Sequence, residues 1–105
     1  MRENGYQAHL IKRLKKRFPD CFILKNDTDY LQGVPDLLIL NGERWAMLEV
    51  KPSEDAPLQP NQDFYINLLG GMGYASFIYP ENEEVVLRDL QLIFAPQRST
   101  RFSQS

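Results

Sequence analysis

The chain reads as one mixed α/β domain, a central mixed β-sheet flanked by helices in the order α-β-β-β-α-β. Three observations carry that reading. An amphipathic stretch of helical period opens the chain, two apolar runs flank an Asn-Gly pair, and a second helical stretch leads straight into a further β-rich run. With 105 residues there is room for one core. That core is expected within 1–95, and 96–105, rich in Ser, Gln and Arg, as a loose tail.

Residues 3–18 should form the first helix. At ~100° per residue, Tyr6, Leu10, Ile11, Leu14 and Phe18 gather on one face, and Pro19 stops the helix. Residues 21–25 (CFILK) are the first strand, and the polar run 26–33, ending in glycine, is a loop. Residues 34–40 and 43–51 are two strands joined through Asn41-Gly42. A type I′ turn needs positive φ at both central residues, and Asn-Gly supplies it. Pro52 and Pro57 break the chain. Residues 60–69 form a second helix, with Pro60 in its first turn and Gly70-Gly71 past its end. Residues 74–79 are the fourth strand, closed by Pro80. Residues 81–95 carry two periodicities: Val85, Val86 and Leu87 suit a strand, whereas Val86, Leu90 and Ile93 suit a helix. A short strand followed by a helical turn is expected there.

Composition narrows the classes of function. Hydrophobic residues at 43% and charged residues at 25% are ordinary for a soluble globular chain. No apolar run approaches the ~20 residues of a membrane-spanning helix, and the N-terminus is too polar for a secretory signal. The single cysteine, Cys21, cannot form an internal disulfide and reads as a small hydrophobe. The expected compartment is the cytoplasm. The net charge is −2, but residues 1–53 hold nine Lys/Arg against seven Asp/Glu, and five of the six residues 12–17 are basic. Lys12, Arg13, Lys15 and Lys16 lie opposite the apolar face of the first helix, with Arg17 at its margin and His9 exposed. They form either a solvated helix face or a surface that attracts phosphate.

The chemistry gathers in Gly33-Val-Pro-Asp36 and Glu49-Val-Lys51. Strand alternation puts Glu49 and Lys51 on one face and Val50 on the other. A two-residue Asn41-Gly42 loop sets Asp36 opposite Met47 and diagonal to Glu49, about 7 Å away on the same face. A four-residue loop sets them directly opposite. Two carboxylates and a lysine on one sheet face suit a hard divalent cation, Mg²⁺ or Mn²⁺. The plain alternative is an exposed ion pair worth under ~1 kcal/mol. Near-continuous apolar runs beside Asp36 and Glu49 mark covered strands and favour a pocket. Glu3 falls on the apolar side of the first helix with Gln7, Leu10 and Leu14. It is either a first-turn acid stabilised by the helix dipole or a third carboxylate for the cation. Gln62 shares a side with Ile66 and Leu69, either as a half-buried amide or as a partner for phosphate or water.

The ordered set of Glu3-x-x-x-Gln7, Gly33-Val-Pro-Asp36, Glu49-Val-Lys51 and Gln62 resembles the PD-(D/E)XK nuclease superfamily. Within it, the chain is most similar to the small stand-alone VRR-NUC proteins of phages and bacteria. The resemblance spans roughly residues 3–79. It implies a restriction-endonuclease-like core, with Glu3, Asp36, Glu49 and the Val50 carbonyl as metal ligands. Lys51 would be the catalytic lysine and Gln62 a supporting residue. It further implies Mg²⁺- or Mn²⁺-dependent hydrolysis of DNA by a homodimer acting on branched substrates such as Holliday junctions, in a bacterial or phage-infected cytoplasm. In that setting Lys12, Arg13, Lys15 and Lys16 are the candidate DNA-binding residues. Two other functions compete: a non-cleaving nuclease-fold binding module, and an adaptor docking through its acidic C-terminal half. The intact Asp36/Glu49/Lys51 set favours the enzyme.

Overall fold

Period-2 alternation along the β-rich runs gives the sheet two unlike faces, and each face draws its own helices. A computed structural model describes residues 3–27 and 29–95, with the side chains of Glu3 and Asn4 outside that description. The elements are α1 (Glu3–Arg17), β1 (Phe22–Lys25), β2 (Leu37–Asn41), β3 (Arg44–Val50), α2 (Gln62–Met72), β4 (Tyr74–Ile78) and α3 (Glu83–Ile93). The sheet order is β1-β2-β3-β4, with the first three strands antiparallel and β4 parallel to β3. The α2 crossover makes that parallel pairing possible, and the expected mixed sheet is present. Residues 96–105, expected as a tail, lie outside the described residues. Among the described residues, no helix is long and apolar enough to cross a membrane.

One face carries the core. Leu37, Ile39, Ala46, Leu48, Val50 and Ile78 pack against Tyr6, Leu10, Leu14 and Phe18 on the α1 side and Val86, Leu87 and Leu90 of α3. The stripe foreseen on the first helix is the one buried, and each large apolar side chain there contributes about 1.5–3 kcal/mol. The second face carries α2, which packs on β4 and touches β3. Gln62 at its start reaches Glu49, and Gly73 just past its end lies against Trp45. Both of those β3 residues alternate with the core-facing Ala46, Leu48 and Val50.

Four expectations are corrected. In the hairpin, Asn41 pairs with Arg44 and Leu40 with Trp45, so the turn is Gly42-Glu43 rather than Asn41-Gly42. Among the described residues, positive φ falls on Gly42 (63°), Gly33 and Asn61 and not on Glu43. A turn with glycine first needs only one left-handed residue. Second, β2 starts at Leu37 rather than at residue 34, and the Asn26 N–H donates to the Asp36 carbonyl at 2.8 Å one step beyond the Lys25–Leu37 pair. Third, α2 runs through Gly70-Gly71 to Met72 and is capped by Gly73, whose N–H donates to the Leu69 carbonyl at 3.0 Å. A Cβ at position 73 would overlap the Trp45 indole, so the stop is placed by packing across the sheet. Pro60 precedes this helix, and Asn61, left-handed at φ 70°, is its N-cap.

The fourth correction concerns residues 81–95, which form α3 instead of a strand and a turn. The Asn82 side chain accepts from the Tyr79 N–H (2.9 Å) and donates to the Phe77 carbonyl (3.1 Å), turning the chain off β4. Val86, Leu87 and Leu90 then face the core at helical spacing while Val85 stays exposed. Further along, Tyr74 donates to Asp89 at 2.9 Å, and burial together with this carboxylate pushes the Tyr74 phenol up to about 12. Glu83 accepts from Tyr6 (2.7 Å) and from Arg13 Nη2 (2.7 Å), joining the two helices on the core face.

Burial pushes the Glu83 carboxyl up, but its hydrogen bonds from Arg13 and Tyr6 outweigh that and hold it below its ordinary value. The stabilisation is therefore complete above the ordinary carboxylate range and is lost as pH falls. Thermal melts of Glu83→Gln should show a loss of about 1 kcal/mol at neutral pH, or ~4–8 °C, shrinking towards zero in acid. A deficit that stays constant with pH would mean the carboxylate charge contributes nothing.

Candidate active site

The corrected register leaves side-chain parity intact, because it shifts the pairing by two residues. Extending the observed Leu37–Leu48 pair by one step sets Asp36 directly opposite Glu49, the arrangement expected of the longer loop. Asp36 Oδ2 accepts a hydrogen bond from the Val50 N–H at 2.9 Å. Glu49 is only 3% exposed, and its Oε2 accepts from Gln62 Nε2 at 2.7 Å. Gln62 Oε1 accepts from the Gln59 N–H at 2.9 Å, which fixes the amide with its NH₂ towards the acid. Burial raises the Asp36 carboxyl above its ordinary value, and the Val50 N–H and the bond to Glu49 pull the other way.

These groups open into a pocket of about 490 Å³ whose lining includes Asp36, Glu49, Gln62, Asp29, Gln32 and Gln59. Val50 sends its side chain into the core, as alternation requires, so Glu49 and Lys51 fall on the opposite face. Lys51 is 8% exposed, its N–H donates to the Ile78 carbonyl at 2.9 Å, and its Nζ lies 5.3 Å from the centre of the Phe77 ring. Phe77 is the β4 partner of Glu49, so a cation–π contact holds the lysine over the strand position next to that acid.

The donor set fits a hard divalent ion. Mg²⁺ is commonly held by one or two carboxylates and keeps its remaining positions for water or phosphate, and Asp36 and Glu49 meet that need beside open volume. Among the described residues, no group of three or more His, Cys, Asp or Glu is placed to share a metal. The side chain of Glu3, the third expected ligand, lies outside the described residues.

The basic face is divided. Arg13 is paired with Glu83 and lies 5.9 Å over the Tyr6 ring, so its guanidinium joins α1 to α3 while the side chain stays 44% exposed. Arg17 likewise donates to Glu84 (3.0 Å) and Gln91 (3.1 Å). Lys12, Lys15 and Lys16 are exposed. Sequence reasoning passed over Asp29, Gln32 and Gln59. The polar, acid-bearing character of the 26–33 loop was the available signal for the first two, and nothing local marks Gln59.

No protein-family model and no curated protein matches the chain. Among solved structures it is similar to Hjc, a Holliday junction resolvase from the archaeal hyperthermophile Archaeoglobus fulgidus. The TM-score is 0.51 over 72% of this chain and 67% of that one, at 18% identity. The two chains share a fold: a mixed sheet carrying helices on both faces.

Gly33 is the joint that brings the two halves of the pocket together. It has φ +93°, and a Cβ there would sit 2.6 Å from Asn61 Cβ and 2.7 Å from the Pro60 carbonyl. Urea unfolding should show Gly33→Ala losing about 2–4 kcal/mol from left-handed strain plus the clash. Gly42→Ala, also left-handed but in open space, should lose only about 1–2 kcal/mol. Equal losses would show that the contact between Gly33 and Asn61 carries no packing weight.

Proposed function

We propose that this chain is a metal-dependent DNA endonuclease of the PD-(D/E)XK superfamily and the small VRR-NUC type, hydrolysing phosphodiester bonds in branched DNA such as Holliday junctions. The observation that carries the reading is the Asp36–Glu49 pair in an open pocket with Lys51 beside it, on a fold shared with a junction resolvase. The ligands would be Asp36, Glu49, the Val50 carbonyl and Glu3. Mg²⁺ or Mn²⁺, if held by them, would supply a more acidic water and charge neutralisation at the phosphate.

The protein's own groups divide the remaining work. The Val50 N–H holds Asp36, and Gln62 holds Glu49, so neither carboxylate has to reorganise when substrate arrives. Lys51 places a positive charge where negative charge grows on the phosphate oxygens. Lys12, Lys15 and Lys16 give α1 a phosphate-attracting edge. Two copies of this single-site domain would cut the two strands of a junction, working in a bacterial or phage-infected cytoplasm.

Incubating four-way-junction and plasmid DNA with Mg²⁺, Mn²⁺ or EDTA tests the reading. Cleavage should require the ion, and Lys51→Ala should lower the rate by orders of magnitude while binding and fold survive. Cleavage by Asp36→Asn at the native rate, or cleavage undiminished in EDTA, would overturn it. Converting Lys12, Lys15 and Lys16 together to Ala should reduce the salt slope of DNA binding by up to about 3. An unchanged slope would make that edge ordinary solvated surface.

A further inference from the structure

A second cavity, of about 400 Å³, lies beside the acid pocket and is lined by Asn26, Asp27, Tyr30, Leu31, Val34 and Met47. Val34 lines both, so the two volumes meet at that residue. Their chemistry differs. The first gathers carboxylates and amides, whereas Tyr, Leu, Val and Met make up most of the second. Met47 stands two positions before Glu49 on β3 and on the same face, ~7 Å along the strand. Tyr30 is 84% exposed, and its backbone is tied down: its N–H donates to the Asp27 carbonyl at 3.3 Å. The neighbouring Asp29 N–H donates to Asp27 Oδ1 at 2.9 Å.

We propose that this second cavity receives one nucleobase, unstacked from the DNA strand that is cut at the Asp36–Glu49 pocket, and that Tyr30 is the face it stacks on. The choice of ligand rests on the nuclease reading, and its place rests on the cavity itself. A nucleotide joins an anionic phosphate to a flat, uncharged ring, and the two volumes divide in the same way. Asp27 is the only charged residue lining the second cavity. It repels phosphate, so the uncharged ring is the part of the nucleotide that fits. Every base has a π-face, and an aromatic side chain accepts it whatever the sequence. Met47, unbranched and polarizable, adapts to whichever ring lies against it. A volume of about 400 Å³ is at the small end for ligand pockets and suits one base, not a stretch of duplex. Paired bases are stacked inside the helix and enter only at the cost of unstacking, whereas a branch point or bulge offers a base already free. The cavity thus selects distorted DNA without reading its sequence.

Fluorescence titration of the full chain, in EDTA and again in Mg²⁺, reads the contact apart from cleavage. The probe is a duplex carrying one bulged 2-aminopurine, whose emission falls on stacking, and the fully paired duplex is its control. Wild-type protein should quench the bulged base and bind that duplex about tenfold or more tighter than the paired one, the scale of one base–aromatic stack. Tyr30→Ala should lose both the quenching and the preference, with paired-duplex binding and circular dichroism unchanged. Tyr30→Trp should keep both, which a contribution to folding alone would not explain. A Tyr30→Ala protein that retains the preference, or a bulged base that stays bright at saturation, overturns the proposal. Binding to neither duplex under either condition overturns it together with the nuclease reading. Quenching that depends on Tyr30, with no cleavage in Mg²⁺ or Mn²⁺, supports the base site and counts against the nuclease reading alone.

Discussion

The Val50 N–H reaches Asp36 Oδ2 at 2.9 Å, at the point where the buried core and the open pocket meet through one residue. The Val50 side chain is 1% exposed among Leu48, Ile78 and the α1 residues. Its backbone is thereby fixed by the same burial that stabilises the fold. Because alternation is strict along a strand, fixing Val50 fixes the opposite direction for Glu49 and Lys51. The acid pair needs no separate support to stay on its face. It would leave that face only if the core repacked, and a shift of a single residue in register would reverse every side chain of β3.

That anchoring matters because the pocket is electrostatically costly. Two carboxyls share one partly buried space, and desolvation there disfavours the charged form of Asp36. The Gln62 NH₂ and the Val50 N–H each offset part of this by donating to one acid. Neither donor carries a full charge, and the nearby Lys51 ammonium lies over the Phe77 ring. Under the nuclease reading, a bound cation would offset the rest. The Gly33 contact completes the arrangement from the loop side. Only a residue without Cβ at position 33 lets the backbone lie against Pro60 and Asn61, the residues that lead into α2 and Gln62.

How far the sequence reveals this depends on the range over which each feature is decided. The first helix, the four strands and the shared face of Asp36 and Glu49 follow from local periodicity and parity, and they are present as read. Parity even survived a misplaced turn, because a two-residue shift leaves the faces unchanged. The end of α2 was misread because Gly70-Gly71 looks like a stop, whereas the real stop is set by Trp45 on a distant strand. Residues 81–95 were misread for the same reason. Their local pattern fits either period, and the partners that select the helix, Tyr6 and Arg13, lie about seventy positions away in the chain. Asp29, Gln32 and Gln59 carry no local signal of convergence, and only the folded chain brings them to one pocket.

Net charge misleads in the same non-local way. A chain at −2 looks poorly suited to a phosphate-rich partner, yet its charges are not equally available to one. Glu83 and Glu84 are engaged by Arg13 and Arg17, so those four largely cancel in place and serve to pin α3 onto α1. Glu49 and Asp36 are withdrawn into the pocket, where a cation would neutralise them. The exposed basic side chains of α1 outside those two pairs are Lys12, Lys15 and Lys16, closely spaced on a helix anchored by Leu10 and Leu14 in the core. The field that an approaching polyanion meets there is set by those lysines and falls off within about a Debye length, ~8–10 Å at ordinary salt. More distant acids are screened over that range, so a local basic edge and an acidic total coexist without conflict.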